Sequence, residues 1–428
     1  MQYIFIKNFK YLQIWYMQMH KRNIKINFLL FCASALTIIL IGEVILRIYF
    51  HASGQVIGVD EEEKCKRMTF RVLSNKNQTY RFNPGNTDYL EYYNYTGVRP
   101  KANVSFTVNG YLPNGSLFVA YTQKTNNQHM RGFKDFNYTK YPNKIRIAVF
   151  GDSFTWGADT YAKFSYPSTL QDLIPNSEVL NFGVEGSGID IMYLRWKYEA
   201  LQFKPDVVIF SIYIDDIRRA SPCVYKPKIQ VANDKLSVVN LPPQELRNFY
   251  ETYKEPKFES YLAKDLLYAL DNFEGVTKKQ YDHGFRILSP ILDEIKSRSK
   301  DDNTYFMVLI ISVGNNYKNT KVELDSIKKI KKILEQKQIA YITSDEIFNK
   351  EKYLAIDYTN KTGHFFPDGY AYIAQGIKNQ LEKDRIVEKS PDYNFRWLTD
   401  ESPPSHLLRQ NKNNSSDERI SFVFDVSP

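Results

Sequence analysis

Ser153 and His364 are the side chains whose types and positions could do chemistry. A serine hydroxyl becomes a nucleophile once a base takes its proton, and histidine is the side chain best matched to that task near neutral pH. Ser153 lies in KIRIAVFGDSFTWG, residues 144–157, directly after an apolar run. On the four letters Gly151-Asp152-Ser153-Phe154 alone, a turn with a capping serine is the competing reading. Three more polar or glycine-rich stretches end apolar runs in the same way. They are NFGVEGSGID with Gly183, Gly186 and Gly188, SIYIDDIRR with Asp215 and Asp216, and TGHFFPDGYAYIA with His364. Of the six histidines, His20, His51, His129, His283 and His406 fall in the N-terminal stretch, linkers, insert or tail. His364 is the one at a strand end. Serine and histidine in one crevice suggest nucleophile and general base, and the glycines suggest N–H donors for an oxyanion.

Such convergence needs a scaffold that brings strand ends together. From residue 144 onward, apolar strands alternate with helical patterns. Strands are expected over 145–150, 178–181, 206–213, 305–313 and 339–343. Helices are expected over 166–174, opened by Pro167, and over 190–203, 281–298, 324–337 and 368–381. The strands carry apolar residues on both sides, which predicts a parallel sheet covered on both faces. The expected fold is α/β, three layers around a five-stranded parallel sheet, with the polar residues beyond the strands' carboxyl ends. Residues 220–280 read as an insertion. Residues 51–143 read as a β-rich segment with short strands in RMTFRVL, NVSFTV and GSLFVAY. Residues 386–428 read as a polar tail.

Residues 27–50 contain about 20 predominantly apolar residues, enough to cross a bilayer core. Residues 1–26 hold five Lys/Arg and no acid, while Glu61, Glu62 and Glu63 follow the apolar run. The positive-inside rule then expects a cytoplasmic N-terminus, a single anchor and an extracytoplasmic body. Glu43 and Arg47, four apart, are placed to pair on one helix face.

The net charge of +9 is concentrated at the start. Beyond residue 50, 51 basic and 47 acidic side chains remain, a net +4. With no basic stripe, that argues against a nucleic-acid binder. The three cysteines form no CxxC or Cys/His cluster, so no structural zinc is expected. Cys65 and Cys223 are the two thiols outside the apolar run, and an oxidising compartment would let them pair. Two independent buried thiols are the alternative.

The four blocks, in this order, resemble the SGNH hydrolases, also called the GDSL lipase/esterase family, in its membrane-anchored bacterial form. The resemblance spans about 144–383, within an expected hydrolase domain over 144–385. It implies Ser153 as nucleophile, His364 as base, and the N–H groups of Ser153 and Gly186 as oxyanion donors. It also implies no metal or organic cofactor. Two departures stand out. Asp215 occupies the place of an asparagine that donates to the oxyanion. It would serve there only if protonated; otherwise it would turn away to pair with Arg218 or Arg219. Lys361 occupies the place of the triad acid, leaving Asp357, Asn360 or a Ser/His dyad. The implied function is a serine esterase acting on O-acyl groups, O-acetyl among them, of a cell-envelope polysaccharide or glycolipid. The alternatives are an O-acyltransferase using the same acyl-enzyme and a non-catalytic carbohydrate-binding or assembly protein.

Overall fold

The structure, a computed structural model, describes residues 26–48, 89–111, 117–220, 226–232, 235–243, 252, 276–312, 321–350, 363–390 and 421–425. The chain divides into two compact units, Met1–Arg67 with Lys254–Phe273 and Met68–Tyr253 with Glu274–Pro428. The described part of the first is one helix, α1 (Ile26–Ile48), long and apolar enough to cross a membrane or to serve as a signal sequence. Within it Arg47 and Glu43 form the expected pair at 2.7 Å. The RMTFRVL stretch, Cys65 and Cys223 lie outside the described residues, and so does most of the tail.

The described part of the second unit begins with an antiparallel hairpin, β1 (Leu90–Tyr93) and β2 (Gly97–Pro100). Two longer antiparallel strands follow, β3 (Ser105–Tyr111) and β4 (Leu117–Lys124). Then the alternation starts: β5 (Ile145–Phe150), α2 (Ser153–Trp156), α3 (Tyr166–Leu173), β6 (Ser177–Asn181), α4 (Ile189–Arg195) and β7 (Val207–Tyr213). A short helix that the sequence pattern does not announce, α5 (Ile214–Arg219), runs straight on from β7. The insertion contains a hairpin, β8 (Lys228–Ala232) and β9 (Lys235–Val239), likewise not expected. The chain resumes with α6 (Val276–Asp301), β10 (Tyr305–Ile311), α7 (Lys321–Gln336), β11 (Ala340–Thr343), α8 (Ser344–Lys350) and α9 (Pro367–Lys383). A last strand, β12 (Ser421–Asp425), pairs antiparallel with β3, so this part of the expected polar tail is structured.

The main sheet has the order β11-β10-β7-β5-β6, and every pair is parallel. Its strands bury both faces, as their unbroken apolar runs require. Ala148, Phe150, Val208, Phe210 and Ile212 pack on one side with α4, α6 and α7. Ile147, Val149, Val207 and Ile209 pack on the other with α3, α8 and α9. Each fully buried aliphatic or aromatic side chain of this kind stabilises the fold by roughly 1.5–3 kcal/mol. Because β5 sits between β6 and β7, chain order reverses there, and the crevice beyond its carboxyl end is where open α/β sheets bind ligands.

The opposite end of β5 is tied by charge. Arg146 and Glu178, both essentially inaccessible, pair across β5 and β6 at 2.6 Å. Arg146 also donates to the Phe203 carbonyl at 2.7 Å. Removing one partner strands the other charge in the interior. Glu178→Leu is therefore expected to cost about 3–5 kcal/mol in urea unfolding. Asp293→Ala, which breaks the exposed pair with Lys337, should cost no more than about 1 kcal/mol. Equal losses from the two would show that burial of the first pair carries no penalty.

Candidate active site

Ser153 opens α2 directly beyond β5. Its neighbour Asp152 is buried and caps the helix, the carboxylate accepting the Phe154 N–H at 3.0 Å. Space around this turn is short. A Cβ on Gly151 would come within 1.9 Å of Thr155 Oγ1, and one on Gly183 within 2.4 Å of the Trp156 nitrogen. Glycine at 151 lets the turn fold tightly onto Thr155, and glycine at 183 lets the loop after β6 close on the one after β5. Asn181 seals that contact, donating to the Thr155 carbonyl at 2.8 Å and accepting the Gly183 N–H at 2.9 Å. Behind the loop, Thr155, Tyr166 and Ser211 form a buried hydroxyl chain, with oxygens 2.7 and 2.6 Å apart.

His364 lies just before α9, with Phe154 packed edge-on at 5.2 Å between ring centroids. Its Nε2 is 2.8 Å from Ser153 Oγ, across a sequence separation of 211 residues. The other ring nitrogen, Nδ1, is 2.6 Å from Asp159 Oδ2. A carboxylate only accepts, so Nδ1 carries the proton and Nε2 is left to accept from the serine. The side chains of His364 and Asp159 are 13% and 5% exposed, so solvent competes little for this bond. The group can move a proton from the serine to the imidazole while the carboxylate holds the resulting charge.

Asp159 is the third member of this hydrogen-bonded group, and the sequence pattern does not single it out. The positions near His364 expected to supply the acid, Asp357 and Asn360, lie outside the described residues. Asp159 sits instead six positions after the serine, in the loop that leaves α2. Gly157 ends that helix in the left-handed region at φ 80, and Asp159 itself holds φ 61. Asp is among the few non-glycine residues that adopt this conformation readily. The turn sends its carboxylate back over the helix towards His364. The signal in the sequence was no stronger than an aspartate in a Gly-Ala-Asp-Thr turn, which reads first as turn chemistry.

Asp215 takes the paired arrangement rather than that of a hydrogen-bond donor. Its carboxylate receives two bonds from Arg218, at 2.6 and 2.8 Å, and one contact from Arg219 at 3.0 Å. Burial opposes its ionisation, but the Arg218 hydrogen bonds and the two guanidinium charges outweigh it and hold the group below the ordinary aspartate value. An ionised, acceptor-only carboxylate donates nothing to an oxyanion, which corrects the expectation that Asp215 replaces the asparagine amide. Arg219 also bridges Asp152 and Asp216 at 2.7 and 3.1 Å. Burial, followed by the Asp152 charge, pushes Asp216 well above its ordinary value. Gly186 lies in the loop after β6 at φ 68. Among the described residues, neither its N–H nor that of Ser153 has a hydrogen-bond partner. No group of three or more metal-ligating side chains occurs among the described residues.

Among solved structures, one similar to this chain is a putative lipolytic protein of the G-D-S-L family from Desulfitobacterium hafniense. It is 13% identical over 56% of this chain and 100% of that one, with a TM-score of 0.34. A catalytic mutant of Axe2, an acetylxylan esterase from Geobacillus stearothermophilus, is 14% identical over 57% and 96%, also at 0.34. The acetyl xylan esterase AlAXEase is 13% identical over 55% and 98%, at 0.32. No curated protein matches. The family model for GDSL-like lipase/acylhydrolase matches residues 147–377, from the middle of β5 to within α9 and across more than half of the 428 residues. The chain belongs to that family and is an ester-hydrolysing enzyme.

Proposed function

We propose that the protein removes O-acyl groups, acetyl among them, from a cell-envelope carbohydrate or glycolipid, working from an extracytoplasmic position behind a single N-terminal anchor. The observation that carries the catalytic part is the hydrogen-bonded chain Ser153–His364–Asp159 at the reversal point of the sheet. Ser153 Oγ attacks the ester carbonyl as its proton passes to His364 Nε2. Asp159 stabilises the imidazolium through Nδ1. The N–H groups of Ser153 and Gly186 receive the oxyanion. The tetrahedral intermediate collapses, His364 protonates the departing alcohol, and an acyl-Ser153 ester remains. Water, deprotonated by His364, then attacks that ester and releases the carboxylic acid and the serine.

The location rests on α1, which is apolar enough to span a bilayer, and on the basic residues that precede it. No metal or organic cofactor enters this chemistry. The test is acetate release by the detergent-solubilised full chain from an O-acetylated oligosaccharide, with an unacetylated oligosaccharide present as competing acceptor. Free acetate that depends on Ser153 is the expected result. Acetyl found only on the acceptor would replace the hydrolase reading with a transferase. Hydrolysis of an activated acetyl ester with none from the saccharide would overturn the carbohydrate assignment alone.

A further inference from the structure

We infer that Tyr121, on β4 of the antiparallel segment ahead of the main sheet, is a positioning residue that fixes the carboxylate of Asp159 against His364. The inference rests on the reading of Asp159 as the acid of the site. It makes the segment before β5 part of the catalytic apparatus.

Two hydrogen bonds meet at one phenol oxygen. Tyr121 donates to Asp159 Oδ1 at 2.9 Å and accepts the Asp159 backbone N–H at 3.1 Å. The first bond leaves Oδ2 to His364, and the second holds the left-handed backbone that aims the side chain. Tyr121 is 3% exposed and packs with Tyr89, Phe106, Trp156 and Ala158. Its ring is therefore immobilised independently of the aspartate.

The same segment grips the loop at two further points. Gln123, two positions along β4 and so on the same face, accepts the Trp156 Nε1–H at 2.7 Å. Arg131, buried, donates to the Thr160 carbonyl at 2.9 Å. Tyr121 thus acts between two fixed ends of a short turn.

Burial, and after it the Asp159 charge, push the Tyr121 phenol well above its ordinary value, so it stays a donor throughout the working range. Among the described residues, Glu185 and Arg131 also face Tyr121, and Tyr370 faces Asp159. Removing the Tyr121 hydroxyl leaves each of them in place. The loss returns the shared negative charge to the Asp159 carboxylate and tightens its hold on a proton of the ring it faces, so the acid limb of the rate should move to higher pH.

The experiment measures kcat, KM and the pH dependence of kcat/KM on an activated acetyl ester. It uses the full chain as wild type, Tyr121→Phe, Asp159→Asn and the double variant. Tyr121→Phe is expected to lower kcat by about tenfold to a hundredfold, the range for a hydrogen bond to a charged group. KM should stay nearly constant, and the acid limb should move to higher pH. The double variant should be no slower than Asp159→Asn alone, because Tyr121 acts through that carboxylate. Gln123→Met controls for general loosening of the strand, lowering the melting temperature without moving the limb. If Tyr121→Phe fails to fold, fluorotyrosine in place of Tyr121 keeps the shape, strengthens the donor and should move the limb to lower pH. Full activity with an unmoved limb, or losses that multiply in the double variant, would overturn the inference while leaving Asp159 in its role. Full activity of Asp159→Asn would instead sink the reading of the acid itself.

Discussion

Ser153→Ala is expected to lower ester hydrolysis by a factor on the order of 10⁶ and to abolish labelling by a serine-directed phosphonate. The size follows from geometry. Ser153 Oγ is the atom within 2.8 Å of His364 Nε2, and no covalent acyl-enzyme forms without it. His364→Ala removes the group that takes the proton and should cost about as much. When members of such a group act as one unit, the second loss adds little to the first. The double variant should therefore be scarcely slower than either single one. What remains would come from substrate binding and from the Ser153 and Gly186 N–H groups, which alanine and an intact loop preserve. Phosphonate found on any other serine, with Ser153 untouched, would defeat the assignment.

Asp159→Asn should slow the reaction by about 10⁴ while leaving the fold intact. The amide is nearly isosteric with the carboxylate, so the cost is electrical and tautomeric rather than one of packing. An amide nitrogen presented to His364 favours the imidazole proton on Nε2. That tautomer points N–H at Ser153 and cannot accept its proton. The imidazolium formed during attack also loses its counter-charge. The same measurement on Asp357→Asn should show no change, because His364 Nδ1 is already committed to Asp159 at 2.6 Å. A large loss from Asp357→Asn with full activity in Asp159→Asn would return the acid to the position near the histidine. Melting temperatures separate chemistry from folding, since Asp159 lies in a loop and outside the two large apolar clusters.

The order of elements was legible because it is written in local patterns. Ile145–Phe150 and Val207–Tyr213 are short and apolar on both sides, the pattern of strands covered on both faces. Pro167 sits in the first turn of α3, and Pro367 opens α9. Ser153 and His364 were legible for the same reason, since each directly follows or precedes such an element. Asp215 was half legible. Its neighbours Arg218 and Arg219 were visible, but the three- and four-residue spacings bring charges together only on a helix. The sequence pattern did not announce α5.

Asp159 and Tyr121 were decided by tertiary structure alone. Asp159 meets a histidine 205 residues away, and Tyr121 belongs to a strand from outside the main sheet. Asp159 lies on no periodic face, the strand period of β4 does not say what Tyr121 meets, and each side chain has an ordinary local explanation, a turn aspartate and a strand tyrosine. Periodicity records which side of an element is buried. Which loops then converge depends on strand order and on close contacts such as Gly183 against Trp156, and those exist only once the sheet has closed. The sequence by itself singled out Ser153 and His364, because each lies at an end of an element that local patterning defines. The placement of Asp159 and Tyr121 depended on the assembled fold, because their hydrogen bonds join segments that nothing in the local sequence relates.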